Sequence, residues 1–467
     1  MKPEIFRSYD IRGIADTDLT DEVVTDIGRA FGSALMEAGG APVVVGRDAR
    51  LSGPRIHAAL LAGLTEVGAS VIDLGVVPTP LCYFAANFRE AVGGLVMITG
   101  SHNPPDHNGL KLGLGRRTMG GEKIQALRQR IEASDFFQPD GPGEVESWDP
   151  LPAYLSYLEN NLELGPYRPK VVVDAGNGVG GLTAAPILER LGFQMEALYL
   201  EPDGTFPNHE ADPTVVANLE ELCARVISSD ADLGVAYDGD ADRVGVIDER
   251  GEILWGDQLM VIFARSILER RPGATFVAEV KCSQVLYDEI DRLGGNGIMW
   301  KAGHTHIKDK MKETGAVAAG EMSGHIFFAD RYYGFDDACY ATLRLLEILS
   351  HTRAPLSELL EGLPETFTTP ELRVPCPEEV KFRVVELVRD LLASHRQVVD
   401  VDGVRVIHPD GWGLLRASNT QPLLVLRFEA ESEARRDAIQ AEVTQALQEA
   451  LTAVAKIESD RLGAGGE

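Results

Sequence analysis

Basic residues are scarce in this chain. Its 467 residues carry 44 Lys and Arg against 72 Asp and Glu, a formal net charge of −28. Nucleic acid and anionic membrane surfaces both require a basic face, so neither is expected as a partner. Cysteine is scarce too. Cys82, Cys223, Cys282, Cys339 and Cys376 follow neither metal-ligand nor disulfide spacing, which points to reduced thiols and a cytoplasmic protein. No apolar run is long enough to span a bilayer, and the opening residues, Met-Lys-Pro-Glu-Ile-Phe-Arg7, lack the apolar core of a secretory signal.

What is present is an ordinary globular composition, 44% hydrophobic and 25% charged, on a chain too long for one hydrophobic core. Strand-like and helix-like segments alternate, which means α/β layers. Strands are expected at Val43–Val45, Val71–Leu74 and Gly94–Ile98, with helices over Pro54–Val67, Thr79–Asn87 and Glu122–Ala133. The Pro/Gly-rich stretch Gln138–Gly143 offers a first boundary. The pattern then restarts twice, through strands Lys170–Asp174, Met195–Leu200, Leu233–Tyr237 and Val244–Asp248, and then Thr275–Val280, Gly297–Trp300 and Val317–Gly320. Helices are expected over Ala153–Leu162, Leu182–Leu191, Asn218–Ser229, Gln258–Arg270, Gln284–Leu293, His306–Thr314 and Asp336–His351. After Pro364–Pro370, a hinge candidate, the order changes: helix Glu379–Ser394, strands Val398–Asp402, Val404–His408 and Leu423–Phe428, and a long helix Ala434–Ile457. That suggests a smaller α+β domain, with a frayed tail after Asp460. The expected domains are 1–150, 151–252, 253–366 and 367–467.

One stretch organises the rest: Thr99-Gly-Ser-His-Asn-Pro-Pro-Asp-His-Asn-Gly-Leu-Lys111. A short apolar strand ends at Gly100-Ser101, and Pro104-Pro105 forbid helix or ladder from continuing. Ser101 is thus expected on a stiff loop at the carboxyl end of a strand, where open α/β sheets bind ligands. A serine so placed is either a turn former or a nucleophile that carries phosphate.

The second stretch, Asp238-Gly-Asp-Ala-Asp-Arg243, lies between two strand-like runs. Three alternate carboxylates repel one another unless a cation sits among them, and oxygen-only donors suit a hard ion, Mg²⁺ before Ca²⁺. An EF-hand fails, because Arg243 stands where that loop needs glycine. The third stretch, Gly176-Asn-Gly-Val-Gly-Gly181, fits Gly-x-Gly-x-x-Gly, with Glu201 where a ribose-binding acid would stand. A nicotinamide-dependent oxidoreductase is therefore an alternative, but tight strand-to-helix turns also collect glycines, and this reading leaves the Ser101 and aspartate loops unexplained.

The fourth stretch, Gly320-Glu-Met-Ser-Gly-His325, places a carboxylate, a hydroxyl and an imidazole on one loop, groups that bind sugar hydroxyls. The fifth, Arg416-Ala-Ser-Asn-Thr-Gln-Pro422 with Arg427 after it, has the makings of a phosphate cradle. Arg12, Arg47, Lys111, Arg243, Lys281 and Lys301 recur beside these loops in an otherwise acidic chain. Together they suggest a serine that carries phosphate beside a metal, facing a sugar that already bears phosphate at its far end. That is a mutase. A non-catalytic sugar-phosphate binder would differ only in lacking turnover.

These motifs, with Tyr9-Asp-Ile-Arg12, occur in the order and spacing of the α-D-phosphohexomutases, which the chain resembles over nearly its whole length. The resemblance implies a heart-shaped arrangement of three consecutive α/β domains with mixed sheets and a C-terminal α+β lid. It implies interconversion of hexose 1-phosphate and hexose 6-phosphate (mannose, glucose or both) through a phosphoserine at Ser101 and a 1,6-bisphosphate intermediate. Mg²⁺ would be held by Ser101, Asp238, Asp240 and Asp242. Arg12, Lys111, Arg243, His304 and His325 would stand near the reacting oxygen, with either histidine the proton carrier or a substrate partner. Tyr9, Lys281, Glu321, Met322, Ser323 and Gly324, with the two histidines, would contact the sugar. Arg416, Ala417, Ser418, Asn419, Thr420 and Arg427 would hold the non-reacting phosphate. Met322 and Thr99-Gly100 are similar to the mannose and glucose branch, and the expected partner is a phosphosugar, bound by a monomer or weak homo-oligomer.

Overall fold

The computed structural model describes residues 1–418 and 421–464, with side chains through Lys456. Four sheets follow one another along the chain. In the first, Val43–Arg47 lies parallel to both Val71–Val76 and Gly94–Ile98. His107–Leu114 then pairs antiparallel with Gly94–Ile98 on one side and with Ile11–Ile14 on the other. Val145–Ser147 adds to the far edge, so the chain leaves this sheet only after the Pro/Gly-rich stretch. The second sheet runs Ile253–Leu254, Val244–Asp248, Leu233–Tyr237, Lys170–Asp174, Gln194–Leu198, and the third runs Asn296–Trp300, Thr275–Glu279, Ala318–Gly320, Ile326–Phe328. The fourth has Leu423–Ala430 between Phe367–Thr368 and Gly411–Ala417, with Leu372–Pro375 also on it.

Each sheet contains an antiparallel pair whose connecting loop carries one of the polar motifs. Gly94–Ile98 and His107–Leu114 flank the Ser101 loop, and Leu233–Tyr237 and Val244–Asp248 flank the aspartate loop. Ala318–Gly320 and Ile326–Phe328 flank Glu321–His325, and Gly411–Ala417 and Leu423–Ala430 flank the Arg416 loop. Turn chemistry thus places four polar loops at the ends of four apolar hairpins.

Several elements depart from the sequence reading. Helix Asp21–Glu37 escapes it because Gly28 and Gly32 lower helix propensity. They are needed for close packing: a Cβ on Gly28 would lie 2.6 Å from the Leu60 carbonyl of the neighbouring helix, Gly53–Glu66. Strands Ile11–Ile14, His107–Leu114 and Gly411–Ala417 also go beyond it, being interrupted by glycine and charge and supported by their partners; so does Ile326–Phe328, whose three residues are too few to show an alternation. The helix expected from His306 begins at His304. That expected over Asn218–Ser229 splits into a 3₁₀ turn, Val216–Leu219, and helix Glu220–Ser228. The strand expected to reach Asp402 ends at Val399. The last helix, Glu433–Ala464, continues past Asp460, so the tail expected to fray is helical to that point.

One continuous core joins the first three units, including Val44, Phe84, Val173, Val235, Phe263 and Phe328. The fourth has a core of its own, including Val384, Leu415, Phe428 and Ile439. Among the described residues, a small buried cluster of Val280, Trp412 and Leu414 sits across the joint between third and fourth. Among the described residues, no helix is long and apolar enough to cross a membrane.

Candidate active site

Ser101 is buried and has a left-handed backbone, φ 49°. Its N–H donates to Thr99 Oγ1 at 2.8 Å, and its Oγ donates to Asp238 Oδ2 at 2.7 Å. The hydroxyl of the first unit therefore meets the carboxylates of the second. Gly239 permits this approach, since a Cβ there would lie 2.4 Å from the Ser101 carbonyl oxygen. Arg12 donates to Asn103 Oδ1 at 3.0 Å and pairs with Asp10 at 2.6 Å. The registers Ile11↔Leu110 and Met97↔Lys111 bring Arg12 and Lys111 to the two sides of the serine loop.

Asp238, Asp240 and Asp242 are wholly buried, with one oxygen of each within 4.8 Å of the others. Asp238 Oδ1 accepts the backbone N–H groups of Asp242 and Arg243, both at 3.1 Å. Arg243 Nε donates to Asp238 Oδ2 at 3.1 Å, and its guanidinium lies 3.4 Å from Asp212. Lys111 Nζ donates to Asp240 at 2.6 Å and also to Asp242. Burial by itself would lower the Lys111 pKa, but Asp240 and Asp242 more than offset it and hold the ammonium well above its ordinary value. Burial, and then Asp242 and Asp240, push the Asp238 carboxyl upward. Asp240 Oδ1 and Asp242 Oδ1 are buried with no hydrogen-bond partner. Three carboxylates with two unspent oxygens fit a hard divalent cation.

The third unit supplies two histidines. His304 opens helix His304–Thr314 after Gly303 (φ +119°), and His325 ends the Glu321 loop. Their rings lie 5.7 Å apart, 24° from parallel. His325 Nδ1 is 3.2 Å from Asp336 and 3.7 Å from Asp242. Burial opposes its charge, but Asp242, then Asp336 and Glu321, raise the imidazolium pKa to about 9. Burial, and then the Lys308 ammonium, push His304 well below its ordinary value. Lys308 donates to Asp336 at 3.0 Å and Tyr83 Oη at 3.2 Å. Glu321 accepts the Gly303 N–H at 2.5 Å, and Tyr9 Oη donates to the Ala302 carbonyl at 3.1 Å. The Met322 N–H donates to Glu279 at 2.8 Å. Gly324 (φ +93°) lets the loop lie against the Val244 carbonyl, 2.3 Å from a Cβ there, and Ser323 is half-buried beside it.

In the fourth unit, Arg416 Nε donates to Asp402 Oδ2 at 3.0 Å, and the same oxygen accepts the Ala302 N–H at 3.1 Å. Ala417 is the buried end of its strand. Ser418 Oγ accepts the Gln421 N–H at 3.1 Å. Buried Lys381 donates to the Ser418 carbonyl at 2.6 Å and the Gln421 carbonyl at 3.1 Å. Asn419 and Thr420 lie outside the described residues. Arg427 NH1 donates to the Lys281 carbonyl at 2.9 Å, and Lys281 Nζ lies 3.4 Å from Glu371. Arg427 and Lys281 thus stand together at the joint between the third and fourth units.

The glycine stretch packs against the protein. A Cβ on Gly178 would meet the Gly239 carbonyl at 2.7 Å, and one on Gly180 the Tyr237 ring at 2.7 Å. Its glycines let it support the aspartate loop from behind. The sequence reading missed Arg50, Asp336, Lys308, Asp402 and Lys381. The only sequence signal for Arg50 is a polar run, Arg47-Asp-Ala-Arg50, closing an apolar strand; Asp336 and Lys381 have none.

A short chain of contacts crosses all four units: Ser101 to Asp238, Asp242 to His325, and Ala302 to Asp402 and Arg416. A hydroxyl beside a carboxylate triad and two buried cations, on a multidomain α/β scaffold, defines a phosphoryl-transfer enzyme. Four family models match in chain order: Phosphoglucomutase/phosphomannomutase alpha/beta/alpha domain I over 3–138, domain II over 152–251, domain III over 255–367, and the C-terminal domain over 371–446. The chain belongs to the phosphoglucomutase/phosphomannomutase family, the α-D-phosphohexomutases. It is 48% identical over 431 residues to the phosphomannomutase/phosphoglucomutase of Pseudomonas aeruginosa, covering 92% of each chain. It is 46% identical over 443 residues to the phosphoglucomutase of Neisseria gonorrhoeae, covering 94% of this chain and 95% of that one. The crystal structure of a family protein from Burkholderia thailandensis superposes with a TM-score of 0.91 at 42% identity, over 96% of this chain and 98% of the other.

Proposed function

We propose that this protein interconverts hexose 1-phosphates and hexose 6-phosphates of glucose and mannose, with Ser101 as phosphate carrier and a 1,6-bisphosphate sugar as intermediate. The observation that carries the reading is the 2.7 Å contact of Ser101 Oγ with Asp238, inside a triad with spare oxygens and two buried cations. A phosphoryl group on that oxygen would lie among Lys111, Arg243 and Arg12, whose charges suit its developing oxygens. The phosphoryl passes from Ser101 to the free hydroxyl of the bound sugar phosphate. The bisphosphate turns end over end, and its other phosphoryl returns to Ser101.

Turning requires a site that holds a phosphate at its far end in either orientation. Arg416, Ala417, Ser418, Asn419, Thr420 and Arg427 are assigned that role, with Lys281 beside them. Tyr9, Glu321, Met322, Ser323 and Gly324 are assigned to sugar hydroxyls, through donors and acceptors common to both orientations. His304, as the neutral imidazole, is the better acceptor of the sugar hydroxyl's proton. His325, charged, is the better donor toward the bridging oxygen.

Mg²⁺ is the ion we assign to Asp238, Asp240 and Asp242, with an oxygen on Ser101 completing the set, since all donors are oxygen. When bound, it supplies positive charge to the transferring phosphoryl oxygens. We assign the domains to 1–150, 151–252, 253–366 and 367–467, and the protein to the cytoplasm, in keeping with five unpaired cysteines. All site residues come from one chain, so a monomer or weak homo-oligomer suffices.

The test is conversion of glucose 1-phosphate to glucose 6-phosphate with a trace of glucose 1,6-bisphosphate. Wild type should turn over, and a phosphate-sized mass increment should map to the Ser101 peptide. Near-full turnover by Ser101→Ala would sink the phosphoserine reading, and a binder without turnover would show no conversion at all.

A further inference from the structure

We propose that Arg50, which touches no part of the expected substrate space, is a positioning residue for phosphoryl transfer. The proposal rests on the mutase reading above and deepens it. Arg50 follows strand Val43–Arg47, and its side chain is wholly buried. Its NH2 donates to the carbonyls of Ser101 at 2.7 Å and Asn103 at 2.5 Å. Its NH1 donates to those of Pro104 at 2.5 Å and His107 at 2.8 Å. Its Nε lies 3.2 Å from Asp48 Oδ2, which also accepts the Gly100 N–H at 3.2 Å.

A guanidinium has five N–H groups in a rigid planar fork. Here NH1 and NH2 together reach four carbonyls of one loop. Lysine offers three donors from one point, and a neutral residue would leave the buried Ser101 carbonyl without this donor. The loop cannot hold this shape unaided, because Ser101 occupies a left-handed conformation at φ 49° that L-residues adopt at a cost of about 1–2 kcal/mol. Arg50 fixes the Ser101 carbonyl and so the direction of its Oγ toward Asp238. The guanidinium also sits 5.3 Å over the Phe206 ring, and a Cβ on Gly204 would meet the Ala49 carbonyl at 2.3 Å. The second unit thus closes over the clamp from outside.

The full-length chain carrying Arg50→Lys or Arg50→Met tests this. Glucose 1-phosphate and glucose 6-phosphate interconversion is read alongside glucose 1-phosphate affinity by calorimetry. Both Arg50 variants should lose about 10²-fold or more in kcat, the scale of a roughly 1 Å misplacement of a reacting group. Affinity should stay within about threefold, because the sugar and far-phosphate loops are untouched. Should Arg50→Met fail to fold, the kcat-against-affinity split in Arg50→Lys decides. Arg50→Lys with wild-type kcat overturns the inference, as does affinity falling in step with kcat. Those outcomes leave the mutase reading intact. A wild-type chain that interconverts nothing removes that reading, and this inference with it.

Discussion

His304 and His325 stack 5.7 Å apart, yet their surroundings push them to opposite sides of neutrality. Asp336 lies between His325 and Lys308, while burial, and then the Lys308 ammonium, holds His304 down. In metal-free protein, His325 should contribute stability that is full below the unfolded value near pH 6.5 and is lost as pH rises through about 9. That shift is worth on the order of 3 kcal/mol. The melting-temperature gap between wild type and His325→Gln should be wide at pH 6 and nearly closed at pH 9.5. A gap that widens with pH would contradict it.

Lys111 neutralises Asp240 and Asp242. Removing one partner of a buried ionic cluster costs about 3–5 kcal/mol, so Lys111→Met should melt well below wild type. An added divalent cation replaces part of the missing charge. Mg²⁺ should therefore raise the melting temperature of Lys111→Met more than that of wild type. Equal Mg²⁺ shifts would mean that the ion binds elsewhere.

Chelation supplies a separate check on the triad. With EDTA, interconversion should fall by at least about 100-fold and return with Mg²⁺. In Asp240→Asn or Asp242→Asn, excess Mg²⁺ should restore little, because an oxygen with no hydrogen-bond partner has lost its charge. Undiminished turnover after exhaustive chelation would remove the metal from the reading.

Lys381 ties both ends of the far-phosphate loop through the Ser418 and Gln421 carbonyls. Lys381→Met removes both of these bonds, costing about 1–3 kcal/mol. That loop would grip the phosphate equally in the ground and transition states. KM for glucose 1-phosphate should rise about tenfold with kcat within about threefold. A loss confined to kcat would contradict the assignment of this loop.

Arg405, wholly buried in the joint, donates to the Val280 carbonyl at 2.6 Å and the Cys282 carbonyl at 2.8 Å, and its guanidinium lies 3.7 Å over the Trp412 ring. The fourth unit's core is otherwise its own. Arg405→Ala should therefore loosen the joint without unfolding either side. X-ray scattering should report a larger radius of gyration, and KM should rise. Scattering curves identical to wild type would place the joint's strength elsewhere.

The sequence by itself determined where the apolar strands run and which polar loops join them. Strands Gly94–Ile98, Lys170–Asp174, Leu233–Tyr237 and Val244–Asp248 fall where the apolar runs do. The serine and aspartate motifs stand out in the sequence because the roles proposed for them need particular side chains at close spacing. What only the tertiary structure decided is how those loops work together. The chain contains no visible internal repeat, yet four hairpins present four loops to one another, because a hairpin asks only for apolar alternation and a turn. Arg50 and Lys381 recognise backbone carbonyls, and a carbonyl is the same at every position, so no residue pattern betrays the pairing. His304 and His325 look alike as letters; burial, Lys308, Asp336 and Asp242 make one neutral and the other charged, and that difference exists only in the fold.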